Sequence, residues 1–259
     1  MEELALHDLT FCARRLPRDL KDIMKREGRK VFVAGGFIRS VIANEHVNDV
    51  DVFTPTKEDA ERLANELAGP GRKPYATDNA YTVFNRRITV QFIHRWTFTA
   101  PEQALESFDF TIAKAALWWG RDARWNSACD ERFYADLAAR RLVYTSPQRN
   151  EDAGGSILRV LKFYQRGYRI PLDSMGAVIA RLMRGVDMQR FNASRLGEWG
   201  EPGLSKVITG LLREVDPLID PDAEGHVDSS PDIPDLDTSG AYIPSPEELR
   251  PALEAMGLG

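Results

Sequence analysis

Cysteine is scarce in this sequence, and long apolar runs are missing from it. The two cysteines, Cys12 and Cys129, are too few for a disulfide framework and do not have the spacing of a zinc site. No apolar run approaches the ~20 residues of a membrane span, and the N-terminal residues, rich in Glu and Arg, lack the pattern of a signal peptide. These absences predict a soluble, cytoplasmic protein in a reducing setting, with no membrane partner.

The net charge of −5 is small, but charge is unevenly distributed along the chain. Residues 214–259 carry a net charge of −11, whereas residues 1–213 carry a net charge of +6. A basic body with an acidic tail is a recognised indication of nucleic-acid contact. The composition is otherwise that of an ordinary globular protein, with room for one large or two small domains.

A buried strand followed by a glycine turn is predicted at residues 31–36. Val31 to Ala34 is a short apolar run rich in β-branched residues. Gly35 and Gly36 have no Cβ, so the chain can turn sharply there and another group can approach closely. The spacing of apolar residues over 37–44 then predicts a helix. A glycine turn that opens a helix suits a phosphate, because free backbone N–H groups and the helix dipole both favour an anion.

Strict alternation over residues 48–54 predicts a strand with Asp49 and Asp51 on one face and Val50 and Val52 on the other. Two carboxylates side by side repel each other, and they persist most easily where a divalent cation bridges them. An acidic pair that faces a phosphate-binding turn supplies what phosphoryl transfer needs. The sequence therefore predicts a catalytic site in which Asp49 and Asp51 bind Mg²⁺ or Mn²⁺.

At these residues the sequence resembles the polymerase β nucleotidyltransferase superfamily. Its signature is Gly35-Gly36, twelve intervening residues and Asp49-Val-Asp51, and Gly35-Gly36-Phe-Ile-Arg39 resembles the head domain of bacterial poly(A) polymerases and CCA-adding tRNA nucleotidyltransferases. The resemblance implies an α+β fold, in which a small mixed β-sheet head with flanking helices is followed by a helical neck domain. It also implies that Gly35, Gly36 and Arg39 contact the phosphates of the nucleotide.

The sequence departs from the family on the strand predicted next to the Asp pair, over residues 87–93. The resemblance implies a third carboxylate there, but the candidate positions hold Thr89 and Gln91. An amide can coordinate a cation through its oxygen, but it carries no charge and takes no proton at neutral pH. Three alternatives follow: two aspartates plus the substrate phosphates suffice, another acid substitutes, or the activity is weakened.

The segment Ser107 to Leu117 resembles the Arg-Arg-Asp-x-x-x-Asn-Ala motif of the family. Asp109 matches the aspartate, whereas Ser107 and Phe108 stand at the two arginine positions and Ala113 stands at the asparagine. The resemblance implies that Asp109 contacts the ribose of the nucleotide. Two alternatives stay open, namely that Asp109 is the missing third metal ligand or that it caps a helix.

The pattern Leu158-Arg-Val-Leu-Lys162-Phe-Tyr-Gln-Arg166-Gly-Tyr-Arg169 resembles the helix of the family's neck. Arg159, Lys162 and Arg166 recur every three to four residues and share one face of the predicted helix. Either this face is simply solvated, or it lines a cleft. In the second case Arg159 and Lys162 are predicted to bind the nucleotide, and Arg166 and Arg169 to bind RNA.

Three regions are predicted along the chain. Residues 1–125 form the nucleotidyltransferase head, residues 126–213 form the helical neck, and residues 214–259 form an acidic, proline-rich disordered linker that ends in a short helix. Within the neck, helices are predicted around 174–184 and 204–213. No feature of the sequence indicates the oligomeric state.

Three functions remain compatible with these patterns. The first is a metal-dependent nucleotidyltransferase that moves a nucleotide from an NTP to a hydroxyl, at an RNA or tRNA 3′ end. The second is a nucleotide- or RNA-binding protein that keeps the fold but has lost the chemistry, as Gln91 suggests. The third is transfer onto a protein or a small molecule, since one fold can serve several acceptors.

The acidic tail generates a prediction about RNA binding. A tail that competes with RNA phosphates for basic residues of the body would weaken binding, whereas a tail that only aids solubility would not. Under competition, deletion of residues 214–259 tightens RNA binding at low salt, and the gain shrinks as the Debye length falls from ~30 Å at 0.01 M to ~10 Å at 0.1 M salt. Dissociation constants of the full-length and truncated proteins decide the matter, and equal values at low salt leave only the solubilising function.

Overall fold

The computed structural model describes residues 1–84, 88–147 and 154–184. In these residues a mixed sheet has the strand order β3-β4-β5-β2-β1-β6-β7. The strands are β1 Phe32–Ala34, β2 Asp49–Phe53, β3 Tyr75–Ala76, β4 Ala80–Val83, β5 Thr89–Ile93, β6 Ala115–Trp119 and β7 Trp125–Cys129. The helices are α1 Leu6–Arg15, α2 Arg18–Glu27, α3 Gly36–Ile42, α4 Lys57–Ala68, α5 Pro101–Ser107, α6 Phe133–Ala138, α7 Gly155–Gln165 and α8 Leu172–Arg184. The predicted α+β fold with a mixed sheet and flanking helices is confirmed.

Strand β2 lies in the middle of the sheet, parallel to β5 on one side and antiparallel to β1 on the other. Its register aligns Val52 with Val33 of β1 and with Phe92 of β5, and all three side chains are fully buried. They belong to the main core, which α1 to α4 complete on this face of the sheet. On the opposite face of the sheet, Phe32 of β1 and Trp118 of β6 pack against α5.

Several helix boundaries depend on local chemistry. The break between α1 and α2 falls at Pro17. Thr56 caps α4, since its side-chain oxygen accepts a hydrogen bond from the Asp59 N–H at 3.1 Å; such a cap contributes about 1 kcal/mol. Gly69 follows the last turn of α4 with a φ of +79°, a conformation that favours glycine.

Strands β3, β6 and β7 are not predicted from the sequence. β6 pairs with β1 and with β7, and Trp119 of β6 meets Trp125 of β7 edge to face at 5.2 Å. The sheet thus continues across residue 125, where the head was predicted to end, and the division into head and neck stays a prediction. The helix predicted over 204–213 and the acidic tail lie outside the described residues. None of the described helices is both long and apolar enough to cross a membrane.

The connection from the sheet to the neck is built around Asp136 of α6. This carboxylate is fully buried, and it accepts a hydrogen bond from Thr111 Oγ1 at 2.8 Å. It also pairs with Arg132 Nε at 3.2 Å and with Arg141 Nε at 3.1 Å. A single buried carboxylate therefore joins α6 to the segment before β6 and to the chain that leads into the neck.

Replacement of Asp136 by Asn is expected to lower the free energy of unfolding by about 2 to 3 kcal/mol. The buried Thr111 hydroxyl and two half-exposed arginines lose a charged, buried acceptor. Urea denaturation followed by circular dichroism measures the loss. The matched control is Glu66→Gln, which breaks an exposed pair with Arg26 and should leave stability close to the wild-type value. A loss no larger than that of the control would show that Asp136 does not hold this connection together.

Candidate functional site

The two aspartates of β2 lie on the face of the sheet opposite the main core. Asp49 and Asp51 are partly buried, while Val50 and Val52, which alternate with them, are completely buried. Once the valines enter the core, the pleat of the strand directs both carboxylates to the other face. The structure therefore brings Asp49 and Asp51 together as the alternation predicted.

Strand β5 places an amide beside this acidic pair. In the parallel register, Asp51 stands opposite Gln91 and Asp49 stands opposite Thr89. Residues opposite each other on neighbouring strands share a face, so Gln91 lies next to Asp51. The position at which the resemblance implies a third carboxylate thus adjoins the pair, and an uncharged side chain occupies it.

The turn after β1 is fixed by its glycine and by a hydrogen bond to β6. Gly35 has a φ of +84°, and a Cβ built there would lie 3.5 Å from Cζ of Phe108. A side chain at this position would therefore be strained by its backbone conformation, although its Cβ would make only an ordinary contact with the Phe108 ring. The Gly35 N–H donates to the Ala115 carbonyl at 2.9 Å. Helix α3 then begins at Gly36 and carries Arg39 in its first turns.

Burial and mutual repulsion shape the electrostatics of the acidic pair. Burial raises the pKa of Asp51 to about 8, and the charge of Asp49 adds to this effect while Arg39 opposes it. Burial also raises the pKa of Asp49, against the lowering effects of Arg166 and Arg39. The ionised form of the pair is thus short of positive charge, which a bound cation would provide.

Asp109 connects the segment after α5 with helix α7. Its Oδ2 accepts hydrogen bonds from Ser156 Oγ and from Arg159 Nη1, both at 2.9 Å. The Asp109 side chain is 10% exposed and that of Arg159 is 37% exposed, so the ion pair lies at the edge of the interior. These partners lie on α7, so the carboxylate does not serve as the helix cap that the sequence left open.

One cavity of about 250 Å³ brings most of these groups together. Of the acidic pair, Asp51 lines the cavity and Asp49 does not. Also in the lining are five of the six residues predicted to bind the nucleotide, namely Gly35, Gly36, Arg39, Asp109 and Arg159. The chain thus folds the predicted phosphate turn, the acidic strand and the first basic residue of the neck helix around a single space.

The other predicted basic residues lie in different surroundings. Lys162 is exposed and is not part of the cavity lining. Arg166 is also exposed, and its charge lowers the pKa of Asp49, which places it on the acidic side of the site. The Arg169 guanidinium lies 4.6 Å from the ring centroid of Tyr164. The basic face predicted for the helix is therefore divided. Arg159 lines the cavity, Lys162 is exposed outside it, and Arg166 acts on Asp49.

Most of the remaining lining is apolar, and the sequence singles out only part of it. These residues are Phe53, Ile93, Trp96, Ser107, Phe108, Ala113, Pro147, Ser156, Phe163 and Arg181. Three of them stand at positions of the family motif, Ser107 and Phe108 at the two arginines and Ala113 at the asparagine. The rings of Phe53 and Phe108 meet edge to face at 6.0 Å. An aromatic wall thus replaces part of the positive charge that the family motif implies.

The donors available to a metal are few. Within residues 1–84, 88–147 and 154–184, no three His, Cys, Asp or Glu side chains converge into a metal-binding group. The candidate donors are the carboxylate oxygens of Asp49 and Asp51 and the amide oxygen of Gln91. Asp109 lines the same cavity as Asp51, but among the described residues it forms no metal-binding group with the pair. Hard cations such as Mg²⁺ and Mn²⁺ prefer oxygen ligands. The buried, mutually repelling pair therefore fits a divalent cation, with one negative charge fewer than three acids would give.

Two solved structures show what the fold is similar to. A CCA-adding enzyme in complex with ATP matches with a TM-score of 0.51 and 18% identity, over 81% of this chain and 51% of that one. A CCA-adding enzyme in an apo form matches with a TM-score of 0.50 and 19% identity, over 70% of this chain and 46% of that one. At this level of identity the likeness shows the fold alone.

The sequence comparisons lead to a phage family. A protein of Bacillus phage SPbetaL7, named Gabija anti-defense 2, is 27% identical over 156 residues, which make up 60% of this chain and 37% of the phage protein. The match therefore spans little more than a third of that relative. The model of the Gabija anti-defense 2 family matches residues 9–140, half of the chain and all of the acidic strand and glycine turn. These matches do not name a poly(A) polymerase, and the chain belongs to the Gabija anti-defense 2 family.

Proposed function

We propose that this chain is a metal-dependent nucleotidyltransferase that moves a nucleotide from an NTP to a hydroxyl group, at the 3′ end of an RNA or tRNA. One observation carries the proposal. Asp51, the Gly35-Gly36 turn and the Asp109–Arg159 pair line the same cavity, although they come from distant parts of the chain. A phosphate-binding turn beside an acidic pair is the arrangement that phosphoryl transfer needs.

The positive charges of the cavity would act on the triphosphate. Arg39 and Arg159 both line it, and each is held in place by contacts within the protein. Fixed cations stabilise the charge that spreads over the phosphoryl oxygens in the transition state, and they need no reorganisation at that moment. Gly35 and Gly36 allow the backbone to approach the same phosphates, because neither has a side chain in the way.

Asp49 and Asp51 would hold the Mg²⁺ or Mn²⁺ ion that the superfamily implies, with the Gln91 oxygen as an uncharged neighbour. When bound, the cation supplies positive charge that activates the acceptor hydroxyl and neutralises the triphosphate. The two carboxylates would hold that charge in place beside the cavity. They do so from the face of β2 that its alternation leaves outside the main core.

The walls of the cavity bear on the choice of base. Phe53 and Phe108 present aromatic surface, and Trp96 lies in the same lining. A planar base can stack on such rings with little dependence on its hydrogen-bonding edge. The side chain of Asp109 is already paired with Ser156 and Arg159. Stacking is therefore the main contact that the described walls offer to the base.

Specific observations favour two alternatives to transfer onto RNA. Gln91 beside Asp51 favours a protein that binds nucleotide or RNA without turnover, since the site has one acid fewer than the superfamily pattern. The family adds a biological setting for the reaction. Its name, and that of the phage relative, refer to opposing the Gabija defence. We extend the proposal to that setting: this chain opposes Gabija by nucleotidyl transfer. RNA is the first acceptor to test, and a protein or a small molecule is the next if RNA is not labelled.

Loss of the Asp51 charge is expected to abolish the reaction. Asp51→Asn keeps the size of the side chain but removes an anionic metal ligand, so label transfer from radioactive NTPs to total RNA in Mg²⁺ should fall by about 10³-fold. The control Glu66→Gln, at an exposed pair with Arg26, should keep the wild-type rate. Wild-type turnover by Asp51→Asn would refute the mechanism. Thermal stabilisation by NTP without any labelled product would favour the binding-only alternative.

A carboxylate at position 91 is expected to strengthen metal binding. Because Gln91→Asp adds a charged ligand beside Asp51, the Mg²⁺ concentration that gives half-maximal rate should fall by about tenfold. Without metal, the variant should melt at a lower temperature than the wild type, since a third acid adds repulsion. The control Asn65→Asp adds the same charge on the exposed face of α4. An unchanged Mg²⁺ titration would show that position 91 does not face the metal.

A further inference from the structure

The Arg39 side chain is held from several sides within the protein. It is 7% exposed, although it lines the cavity. Its Nη2 donates to Ser40 Oγ at 3.0 Å, and its guanidinium carbon lies 4.7 Å from the ring centroid of Phe163 in α7. Burial lowers the pKa of Arg39, and the charge of Arg166 lowers it further. A buried guanidinium in this position needs a nearby anion to keep its charge and its orientation.

That anion is Glu45, in the loop between α3 and β2. Its Oε2 lies 3.6 Å from Arg39 Nε, and neither atom has a hydrogen-bond partner among the described residues. The other oxygen, Oε1, accepts hydrogen bonds from Tyr168 Oη at 2.7 Å and from Arg140 Nη1 at 3.3 Å. Two donors thus fix one end of the carboxylate, and the other end faces Arg39.

The donors that fix Glu45 come from the neck side of the chain. Tyr168 is fully buried and follows α7, and its hydroxyl has a raised pKa because of burial and of its bond to Glu45. Arg140 follows α6 and also donates to the Arg166 carbonyl at 2.8 Å. The orientation of Glu45 therefore depends on the packing of the segments around α6 and α7 against α3.

We infer that Glu45 is a positioning residue, which orients the Arg39 guanidinium toward the triphosphate and makes that orientation depend on Tyr168 and Arg140. The inference rests on the proposed function, in which Arg39 contacts the nucleotide. An arginine that is ordered before the ligand arrives loses little rotamer freedom on binding, so affinity is higher. A plain charge effect predicts the reverse, because Glu45 is an anion near an anion-binding site.

The opposite signs of these two effects make Glu45→Gln informative. The amide keeps the shape of the side chain and removes its charge. If Glu45 positions Arg39, the dissociation constant of the NTP should rise by about tenfold; if its charge only repels the ligand, the constant should fall. Tyr168→Phe removes one hydrogen bond to Glu45 and keeps the ring, so it should weaken binding in the same direction by a smaller factor. The control Glu66→Gln should leave affinity unchanged.

A double-mutant cycle shows whether Glu45 acts through Arg39. In the Arg39→Gln background, Glu45→Gln should cause no further loss of NTP affinity, because the group that it orients is gone. Losses that multiply, as for independent sites, would overturn the inference. So would tighter binding by Glu45→Gln in the wild-type background.

A second readout does not depend on nucleotide binding. The Nε–Hε group of Arg39 gives a ¹⁵N NMR signal that the Arg39→Gln variant identifies by its absence. In the ligand-free protein this proton should exchange slowly with water, and Glu45→Gln should accelerate the exchange while Glu66→Gln should not. An unchanged Arg39 signal in Glu45→Gln would overturn the inference. If the wild type binds no NTP, the proposed function fails, whereas this signal still decides whether Glu45 orients Arg39.

Discussion

The alternation of β2 is the constraint on which the site depends. Val50 and Val52 stabilise the fold by entering the main core, and this leaves Asp49 and Asp51 no other direction than the opposite face. There, burial and mutual repulsion raise the pKa of Asp51, so the fold accepts an electrostatic cost at the site. A slip of one residue in the pairing with β5 would turn both carboxylates into the core. The pairing that completes the core thus also maintains the site.

Ion pairs and hydrogen bonds between distant segments complete the cavity, of which the sheet forms one side. Asp109 precedes β6, but both its side-chain partners, Ser156 and Arg159, lie on α7. Phe163 of the same helix lies under the Arg39 guanidinium. The cavity is therefore not a property of the sheet, because one side of it exists only when α7 is packed in place. This dependence gives α7 an influence on the side of the site that holds Arg39 and on its aromatic side.

The relation to CCA-adding enzymes is one of fold, and the family is that of a phage anti-defense protein. Within the shared fold, the glycine turn and the acidic pair agree with the superfamily pattern, whereas Gln91 and Phe108 depart from it. The first group would face the metal and the phosphates. The second alters the charge of the metal site and the wall of the cavity. One fold can support many activities, and differences of this kind at the site distinguish those activities from one another.

The sequence by itself determined those features whose causes lie within a few residues. The break at Pro17, the Thr56 cap and the alternation of β2 each rest on local backbone or side-chain chemistry, so a short window contains the whole signal. Strand β6 has no such local signal in the sequence. Its residues are buried on both faces, which removes the alternation that marks a strand with one exposed face.

Only the tertiary structure decided which of these features meet. The motif spacing placed the Gly35 turn and Asp51 in one site, but it gave no sign of the aromatic wall formed by Phe53 and Phe108. It also gave no sign of Glu45, which meets Tyr168 across 123 positions of the chain. Such contacts depend on how α7 packs against the sheet, and side-chain packing at long range leaves no periodic trace in the sequence.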